Sequence, residues 1–239
     1  MFLFLTSSPC VIGADRAILN EANGFVDRLR EVLPEYPKCL FICSDPNSHG
    51  FTDGFAREMA EAFEEAGLPL KGYATLDGRN WPYAEPLIWA SDLIVLAGGH
   101  VPTQNDFLMD VGLDQMLQHF QGVVMGISAG SMNCADTVYV QPEEPGESAR
   151  SFQRFTQGLG LTDINTLPHY QQVKDNILDG KRLFEDITYE DSIDHTFLAL
   201  VDGSYVFSDG DGNLLCGEAY LLEDGHMEQI CGEGEEIVL

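Results

Sequence analysis

A serine within the segment Gly-Ile-Ser-Ala-Gly, at positions 126–130, has the surroundings of a nucleophile. Ser128 follows the apolar run 123–127, and small residues compatible with a helix come after it. The G-x-S-x-G pattern is typical of a sharp turn between a strand and a helix that exposes the serine hydroxyl. Glycine suits both flanking positions because the helix would lie too close to the strand for a Cβ atom. The segment therefore predicts acyl-transfer chemistry at Ser128.

A serine hydroxyl attacks a carbonyl only when a base removes its proton, and histidine is the usual base. Of the six histidines, His169 directly follows the strand-like run 164–168, which ends in a proline. It would therefore lie at the carboxyl edge of the sheet, where catalytic groups of parallel α/β proteins are found. His195, which follows Asp194, is the alternative. We expect His169 to be the general base.

A third group must orient the imidazole and stabilise its charged form. Between the serine and the histidine, an acidic and proline-flanked loop at 141–147 follows a predicted strand at 137–140. Three glutamates of this loop are candidates: Glu143, Glu144 and Glu147. The residues alone do not distinguish among them.

Acyl transfer also needs N–H groups aimed at the oxygen that gains negative charge. The Ala129 N–H directly follows the serine, and Gly98-Gly99 ends the apolar strand that precedes the serine turn. Because glycine lets the backbone approach a substrate closely, the Gly98-Gly99 segment is the predicted source of the second donor of an oxyanion hole. This scheme requires neither a metal nor an organic cofactor.

The elements that must position these residues alternate between short apolar segments and amphipathic ones. The pattern predicts strands at 2–5, 39–43, 70–75, 92–96 and 123–127, and helices at 17–33, 51–66 and 105–120. Such alternation indicates an α/β fold with a mostly parallel sheet covered on both faces. Further strands, separated by Asp-Gly turns, predict a C-terminal β-meander that completes a single domain over residues 1–239; they lie at 198–201, 205–208, 214–219 and 227–230.

Composition limits the possible partners. The chain of 239 residues has 39 Asp and Glu but only 12 Lys and Arg, a formal net charge of −27, which argues against a nucleic-acid-binding surface. The apolar start at 1–5 is too short and lacks the basic flank of a signal peptide, and no later apolar run is long enough to span a membrane. The six cysteines are expected to be reduced, as in a cytoplasmic protein. Whether the chain is a monomer or a homodimer stays open.

Three segments resemble the signatures of the peptidase E and cyanophycinase family of serine peptidases. They are Leu-Ala-Gly-Gly-His at 96–100, Gly-Ile-Ser-Ala-Gly-Ser at 126–131 and Leu-Pro-His-Tyr at 167–170. The resemblance extends from the first predicted strand to the meander. It implies a three-layer α/β/α fold similar to the flavodoxin-like class I glutamine amidotransferase domain, with a serine in place of the cysteine nucleophile.

The resemblance also implies roles for individual residues. Ser128 resembles the nucleophile and His169 the general base, while Gly99 and Ala129 resemble the oxyanion donors. His169 would deprotonate the serine, whose oxygen attacks a peptide carbonyl, and water would then hydrolyse the acyl-enzyme.

The acid and the substrate-binding residues follow from the same resemblance. The family's acid falls between the serine and the histidine, so Glu143 or Glu144 occupies the comparable place. Dipeptidase E releases N-terminal aspartate from dipeptides, and a basic residue after its histidine recognises the acidic side chain. Arg182 corresponds to that residue, and His100 stands where dipeptidase E tends to have asparagine. A serine peptidase acting on small peptides, with a preference for N-terminal aspartate as the implied option, is the resulting hypothesis.

Two other interpretations stay open. An esterase of the α/β-hydrolase type shares the serine turn and the order serine, acid, histidine, although its fold places further βα units where this chain has a meander. A non-catalytic binding or regulatory module on the same fold would tolerate a misplaced acid.

Overall fold

The computed structural model describes all 239 residues of the chain. Its strands are β1 (Phe2–Thr6), β2 (Lys38–Ile42), β3 (Gly72–Leu76), β4 (Leu93–Leu96), β5 (Val123–Ile127), β6 (Thr137–Tyr139), β7 (Phe155–Gln157), β8 (Asn165–Leu167), β9 (Ile177–Leu178), β10 (Lys181–Arg182), β11 (Thr196–Leu200), β12 (Tyr205–Ser208), β13 (Asn213–Cys216), β14 (Ala219–Glu223), β15 (His226–Cys231) and β16 (Glu236–Val238).

The α-helices are α1 (Phe25–Val32), α2 (His49–Glu65), α3 (Ala84–Trp89), α4 (Val101–Val111), α5 (Leu113–Leu117), α6 (Ala129–Met132), α7 (Tyr170–Val173) and α8 (Tyr189–Asp191). Short 3₁₀ turns, at Ala22–Gly24 and Trp81–Tyr83, lead into α1 and α3. A π-helical turn at Phe184–Thr188 leads into α8.

A central sheet of eight strands has the order β16-β13-β12-β1-β5-β4-β2-β3. The strands from β1 to β3 in this order pair in parallel, whereas β12, β13 and β16 extend the sheet beyond β1 in antiparallel fashion. The parallel strands are apolar over most of their length because both faces of the sheet are covered, and all four residues of β4 are buried. The predicted mixed α/β class with a large, mostly parallel sheet is confirmed.

Two apolar cores cover the two faces of this sheet. Because side chains alternate along a strand, Leu3 and Leu5 of β1 enter one core and Phe4 enters the other. Helices α1 and α2 pack into the core of Phe4. Helices α3, α4 and α5 pack into the opposite core, which also receives Leu198 and Leu200 from β11. The second face is therefore covered partly by helices and partly by another sheet.

That second sheet has four strands in the order β15-β14-β11-β8. The strands predicted after residue 195 exist, but they do not form one meander, because β12, β13 and β16 join the central sheet while β11, β14 and β15 form the second. Strand patterns indicate where strands lie and not which strands pair. Within the second sheet, β8 and β11 are parallel neighbours.

Two predicted helices differ from the observed ones because of residues in the left-handed conformation. The helix predicted over 17–33 begins only at Phe25, since Asn23 and Gly24 have φ values of 55° and 69°. The helix predicted over 105–120 begins earlier, at Val101, and is interrupted by Gly112, with φ of 74°, between α4 and α5. A residue with positive φ commonly ends a helix, and glycine adopts this conformation without steric cost.

Two properties of the whole chain bear on its environment. None of its helices combines the length and the apolar character that crossing a lipid bilayer requires. All six cysteines are unpaired thiols, and five of them are buried. The fold is therefore held together without disulfides.

Candidate active site

Ser128 lies between β5 and α6 in an unusual backbone conformation, with φ of 52° and ψ of −114°. Residues other than glycine rarely have positive φ, and here this conformation makes the sharp turn that the sequence pattern predicts. The Ser128 N–H donates to the Thr6 carbonyl at 3.0 Å. The Thr6 hydroxyl donates to the Gly126 carbonyl at 2.7 Å, and the Ser131 hydroxyl donates to the Thr6 carbonyl at 2.8 Å. The last residue of β1 thus holds both sides of the turn.

The two glycines of the turn leave no room for a side chain. A Cβ atom on Gly126 would lie 2.6 Å from the Cα and N atoms of Ser131, and one on Gly130 would lie 2.3 Å from the carbonyl oxygen of Leu96. Both contacts are with backbone atoms, which can move away only if α6 or β4 moves as well. The requirement for glycine on each side of Ser128 therefore comes from direct packing of α6 against the sheet.

His169 follows β8 and precedes α7, with φ of 58° and ψ of 27°. Its backbone N–H donates to the Ser7 hydroxyl at 2.7 Å. Its ring atom Nδ1 lies 2.7 Å from Oδ1 of Asp202. Because a carboxylate only accepts hydrogen bonds, Nδ1 of the neutral ring carries the proton and Nε2 is left as an acceptor. This is the tautomer that a general base at Nε2 requires.

The meeting of His169 with Asp202 follows from the pairing of two strands. Asp202 stands two residues after the end of β11, and His169 stands two residues after the end of β8. The two strands are parallel neighbours, with Leu167 opposite Ala199. Since the carboxyl ends of parallel strands share one edge of a sheet, the two side chains come together there although they are 33 residues apart in sequence.

The carboxylate at His169 is not the predicted one. A glutamate of the loop between the serine and the histidine was expected to orient the ring, with Glu143 or Glu144 favoured. In the structure both Glu143 and Glu144 are exposed, Glu143 at the border of a cavity, and neither is hydrogen-bonded to His169. The geometry corrects this expectation to Asp202. Its sequence signal is ambiguous, because Asp202-Gly203 after an apolar strand is also a turn signal.

Asp202 is almost completely buried, with 2% of its side chain exposed, and it is surrounded by donors. Oδ1 accepts from the Ser7 hydroxyl at 2.7 Å as well as from His169, and Oδ2 accepts from the side-chain amides of Gln171 and Gln172. Burial acts to raise the pKa of Asp202, but these hydrogen bonds outweigh it and hold the pKa below its usual value. The carboxylate is therefore charged at neutral pH and can stabilise a protonated imidazole.

His100 and Glu147 form a separate pair next to this site. The His100 ring contacts the Thr103 hydroxyl at 2.8 Å through Nδ1 and the Glu147 carboxylate at 3.2 Å through Nε2. The second oxygen of Glu147 accepts the N–H groups of Glu143 and Glu144, both at 2.9 Å. Burial acts to raise the pKa of Glu147, but the hydrogen bonds outweigh it and lower the pKa. Glu147 thus fixes the acidic loop against the start of α4.

The same pair belongs to the one group of side chains that could hold a metal ion. Ligand atoms of His100, Glu144 and Glu147 lie within 4.8 Å of one another. Both ring nitrogens of His100 and both carboxylate oxygens of Glu147 have hydrogen-bond partners in the protein. The arrangement is satisfied without an ion, and we assign no metal to it.

Ser128 and His169 border one cavity of about 400 Å³. No hydrogen bond joins the Ser128 hydroxyl to the imidazole in this structure, and catalytic contacts of this kind often tighten only when a substrate is bound. Apolar side chains form much of the wall, namely Val101, Met132, Val173, Ile177, Leu178 and Leu183. The structure therefore brings the predicted nucleophile and base to the same concave surface.

The two predicted oxyanion donors, Gly99 and Ala129, border this cavity as well. The Gly99 N–H makes no backbone hydrogen bond. Ala129 is the first residue of α6, so its N–H has no partner in the preceding turn of that helix. Both N–H groups can therefore donate to a negatively charged oxygen. A Cβ atom on Gly99 would lie 2.5 Å from Cβ of Ser44, so this position admits no side chain without a shift.

Buried amide side chains connect the loop after β4 to α6. The Gln104 amide donates to the Ala97 carbonyl at 2.7 Å, and its oxygen accepts from the Asn133 amide at 3.0 Å. Asn105 donates to the Asn133 oxygen at 3.1 Å. The sequence does not predict these amide contacts, because nothing in a helical pattern marks an amide as buried. They fix the Gly99 loop relative to the serine turn.

Arg182 does not reach the cavity, contrary to its predicted contact with substrate. It lies in β10, and its guanidinium donates to both carboxylate oxygens of Asp186, at 2.7 and 3.1 Å. These hydrogen bonds lower the pKa of Asp186 to about 2, so the pair is ionised at neutral pH. None of the 12 Lys and Arg residues borders the cavity. The charge of Arg182 is already neutralised at the surface.

Two further side chains with catalytic chemistry, the alternative base His195 and the thiol of Cys134, do not line the cavity. His195 precedes β11 and is thus at the opposite end of that strand from Asp202, with its ring stacked on Phe155 at a centroid distance of 4.1 Å. Cys134 is fully buried and its thiol donates to the Gly130 carbonyl at 3.2 Å. Burial raises the pKa of Cys134 to about 12, so the thiol stays protonated at neutral pH.

Comparison with known proteins identifies relatives of this chain. Residues 5–215 match the model of Peptidase family S51. A crystal structure of a peptidase from an acI-B1 Actinobacterium is similar with a TM-score of 0.70 and 19% sequence identity, covering 100% of this chain and 96% of that chain. A protein assigned as a peptidase E from Listeria monocytogenes EGD-e is similar with a TM-score of 0.59 and 18% identity, covering 96% of this chain and 98% of that chain. No curated protein matches the sequence.

The packing of α6 against β4 predicts that Gly130→Ala destabilises the protein. The added methyl group would meet the Leu96 carbonyl oxygen, and we expect the free energy of unfolding in urea to fall by about 1–3 kcal/mol, as in other overpacked sites. Gly54→Ala is the matched control, because Gly54 lies inside α2 with no atom within 4 Å of the added methyl. This variant should gain about 0.5–1 kcal/mol. Equal stabilities of the two variants would contradict the described turn.

The lowered pKa of Asp202 predicts a pH-dependent contribution to stability. Because the native pKa lies below the unfolded value of about 3.9, the charged carboxylate stabilises the fold above about pH 4, and this contribution is lost as the pH falls through the native pKa. The difference in free energy of unfolding between the wild type and Asp202→Asn should therefore shrink from about pH 7 to about pH 3. Glu58→Gln, on the exposed side of α2, controls for net charge. A difference that grows on acidification would contradict the assignment.

Proposed function

This chain belongs to peptidase family S51 and is a serine-type peptidase, and we propose that it hydrolyses small peptides with Ser128 as nucleophile, His169 as general base and Asp202 as the orienting acid. The observation that carries the proposal is the hydrogen bond of 2.7 Å between Nδ1 of His169 and the buried Asp202 carboxylate, at the cavity that Ser128 also borders. The triad that we propose is thus Ser-His-Asp, in place of the Ser-His-Glu triad expected from the sequence.

In the proposed reaction, Nε2 of His169 takes the hydroxyl proton of Ser128 while the serine oxygen attacks the peptide carbonyl carbon. The carbonyl oxygen becomes an oxyanion and accepts hydrogen bonds from the N–H groups of Gly99 and Ala129. Each such donor is typically worth about 3 kcal/mol in transition-state stabilisation. His169 then gives its proton to the leaving amine as the C–N bond breaks. Water, deprotonated by the same imidazole, hydrolyses the resulting acyl-enzyme.

The dimensions of the cavity support a small substrate. A volume of about 400 Å³ lies at the lower end of the range for small-molecule sites. The β9–β10 hairpin contributes Ile177 and Leu178 to its wall, so the cavity is bordered on that side instead of opening into a long groove. A dipeptide or a similarly short peptide fits this description better than an extended chain.

The unpaired thiols support a reducing compartment, and we place the enzyme in the cytoplasm.

Ser128→Ala should abolish peptide hydrolysis, because it removes the attacking oxygen. A fluorophosphonate should label the wild type at Ser128, as shown by mass spectrometry of the labelled peptide, and should not label the variant. Ser91→Ala, which lies just before β4 at the opposite edge of the sheet, should keep both labelling and turnover. Turnover that persists in Ser128→Ala would overturn the assignment of the nucleophile.

Asp202→Asn should lower kcat by roughly 10²–10⁴-fold, since the amide no longer stabilises the protonated imidazole. The pH dependence of kcat should change as well, which a loss of stability alone would not cause. Glu143→Gln and Glu144→Gln test the sequence-based alternative in the same assay. If either glutamine variant lowers kcat more than Asp202→Asn, the acid of the triad lies in the acidic loop and the assignment to Asp202 is wrong.

A further inference from the structure

Glu143 is the only carboxylate that borders the cavity, and no lysine or arginine balances it. Its Oε1 lies 4.0 Å from Nε2 of His100, but that nitrogen has a closer partner in Glu147, at 3.2 Å. The mechanism described above does not use Glu143. Glu143, whose side chain is 51% exposed, is thus the one acidic residue at the border of the space in which the substrate would lie.

The surroundings of the Glu143 carboxylate disfavour a second negative charge close to it. Partial burial raises the pKa of this half-exposed carboxyl, and the carboxylates of Glu147 and Glu144 add to the shift, whereas His100 and a hydrogen bond with the Val101 backbone oppose it. A partly desolvated carboxylate with few donors is stabilised by a cation brought by the ligand. An acidic side chain placed nearby would instead meet like charge.

The rest of the wall is suited to an apolar side chain. Val101, Met132, Ile177 and Leu178 line the same cavity, and no lysine or arginine side chain lines it. Ile177 lines the cavity and is 70% exposed, so its side chain is open to contact with a ligand. A carboxylate buried against these groups would lose its hydration without gaining an ion-pair partner.

Building on the proposed peptidase function, we propose that the cavity selects peptides by two features. One is an apolar side chain on the acyl side of the cleaved bond, and the other is a cationic nitrogen that pairs with Glu143. The cavity discriminates against acidic side chains at the same position. The cationic nitrogen can be the free N-terminal ammonium group or a lysine or arginine side chain. This specificity is opposite to the aspartate preference that the family resemblance implies. The reason is that Arg182, the expected partner of an acidic side chain, is paired with Asp186 outside the cavity.

The test measures kcat/KM of the whole chain for five p-nitroanilide substrates. Three have a free amine, namely the leucine, lysine and aspartate p-nitroanilides, and two are the leucine and lysine p-nitroanilides with an acetylated amine. We expect kcat/KM for the free leucine substrate to exceed that for the aspartate substrate at least about tenfold. If the N-terminal ammonium is the cation, acetylation of the leucine substrate lowers kcat/KM by about two- to fivefold. If a side chain supplies it, the acetylated lysine substrate is cleaved as well as the free one.

Glu143→Gln then identifies the recognising group. This variant should reduce the preference for the cationic substrate over its neutral counterpart by about two- to fivefold, as expected for an ion pair with a half-exposed carboxylate. Glu58→Gln removes one negative charge from the exposed side of α2 and should keep the wild-type ranking. An unchanged ranking in Glu143→Gln, or a wild type that prefers aspartate, would overturn the inference.

The same ranking should be measured as protection of Ser128 from a fluorophosphonate, so that a slowly cleaved substrate still gives a result. Hydrolysis or protection that depends on Ser128 but favours aspartate would refute the specificity and leave the proposed function intact. If Ser128 is not labelled and no substrate is cleaved by the folded protein, the proposed function fails, and the specificity fails with it.

Discussion

The hydrogen bond between His169 and Asp202 depends on the parallel pairing of β8 with β11, and the end of β1 connects this pair to the serine turn. The Ser7 hydroxyl accepts the His169 N–H and donates to Asp202. The carbonyl of the preceding residue, Thr6, accepts from Ser128 on the other side. Two adjacent residues of one strand end thus fix all three members of the proposed triad, although the nucleophile belongs to the central sheet and the other two to the second.

The parts of this site that the sequence predicted are local in the chain. The turn at Ser128 is set by glycines within two residues of it, and the position of His169 is set by the short strand before it. Asp202 could not be found in this way, because its role depends on which strand lies beside β8, and strand pairing leaves no mark in a pattern of alternation. Arg182 was misplaced for a related reason: whether a surface cation is free depends on its neighbour, here Asp186.

Two carboxylates near the cavity, Asp202 and Glu143, differ in the charge state that their surroundings favour. Asp202 receives donors on both oxygens, which overcome the effect of burial and favour its charged form. Glu143 has few donors and two acidic neighbours, so burial dominates and its neutral form is favoured more than usual. The first is suited to stabilise a charge that appears on the protein during the reaction. The second responds to a charge that arrives with the ligand.

The position of β1 between β5 and β12 has a consequence for how the enzyme is made. One neighbour begins at residue 123 and the other at residue 205, so the first strand to be synthesised gains its second partner only when most of the chain is complete. A growing chain of 169 to 201 residues contains Ser128 and His169 but not Asp202. The proposed triad is therefore complete only late in synthesis, at about the point where β1 gains its second neighbour.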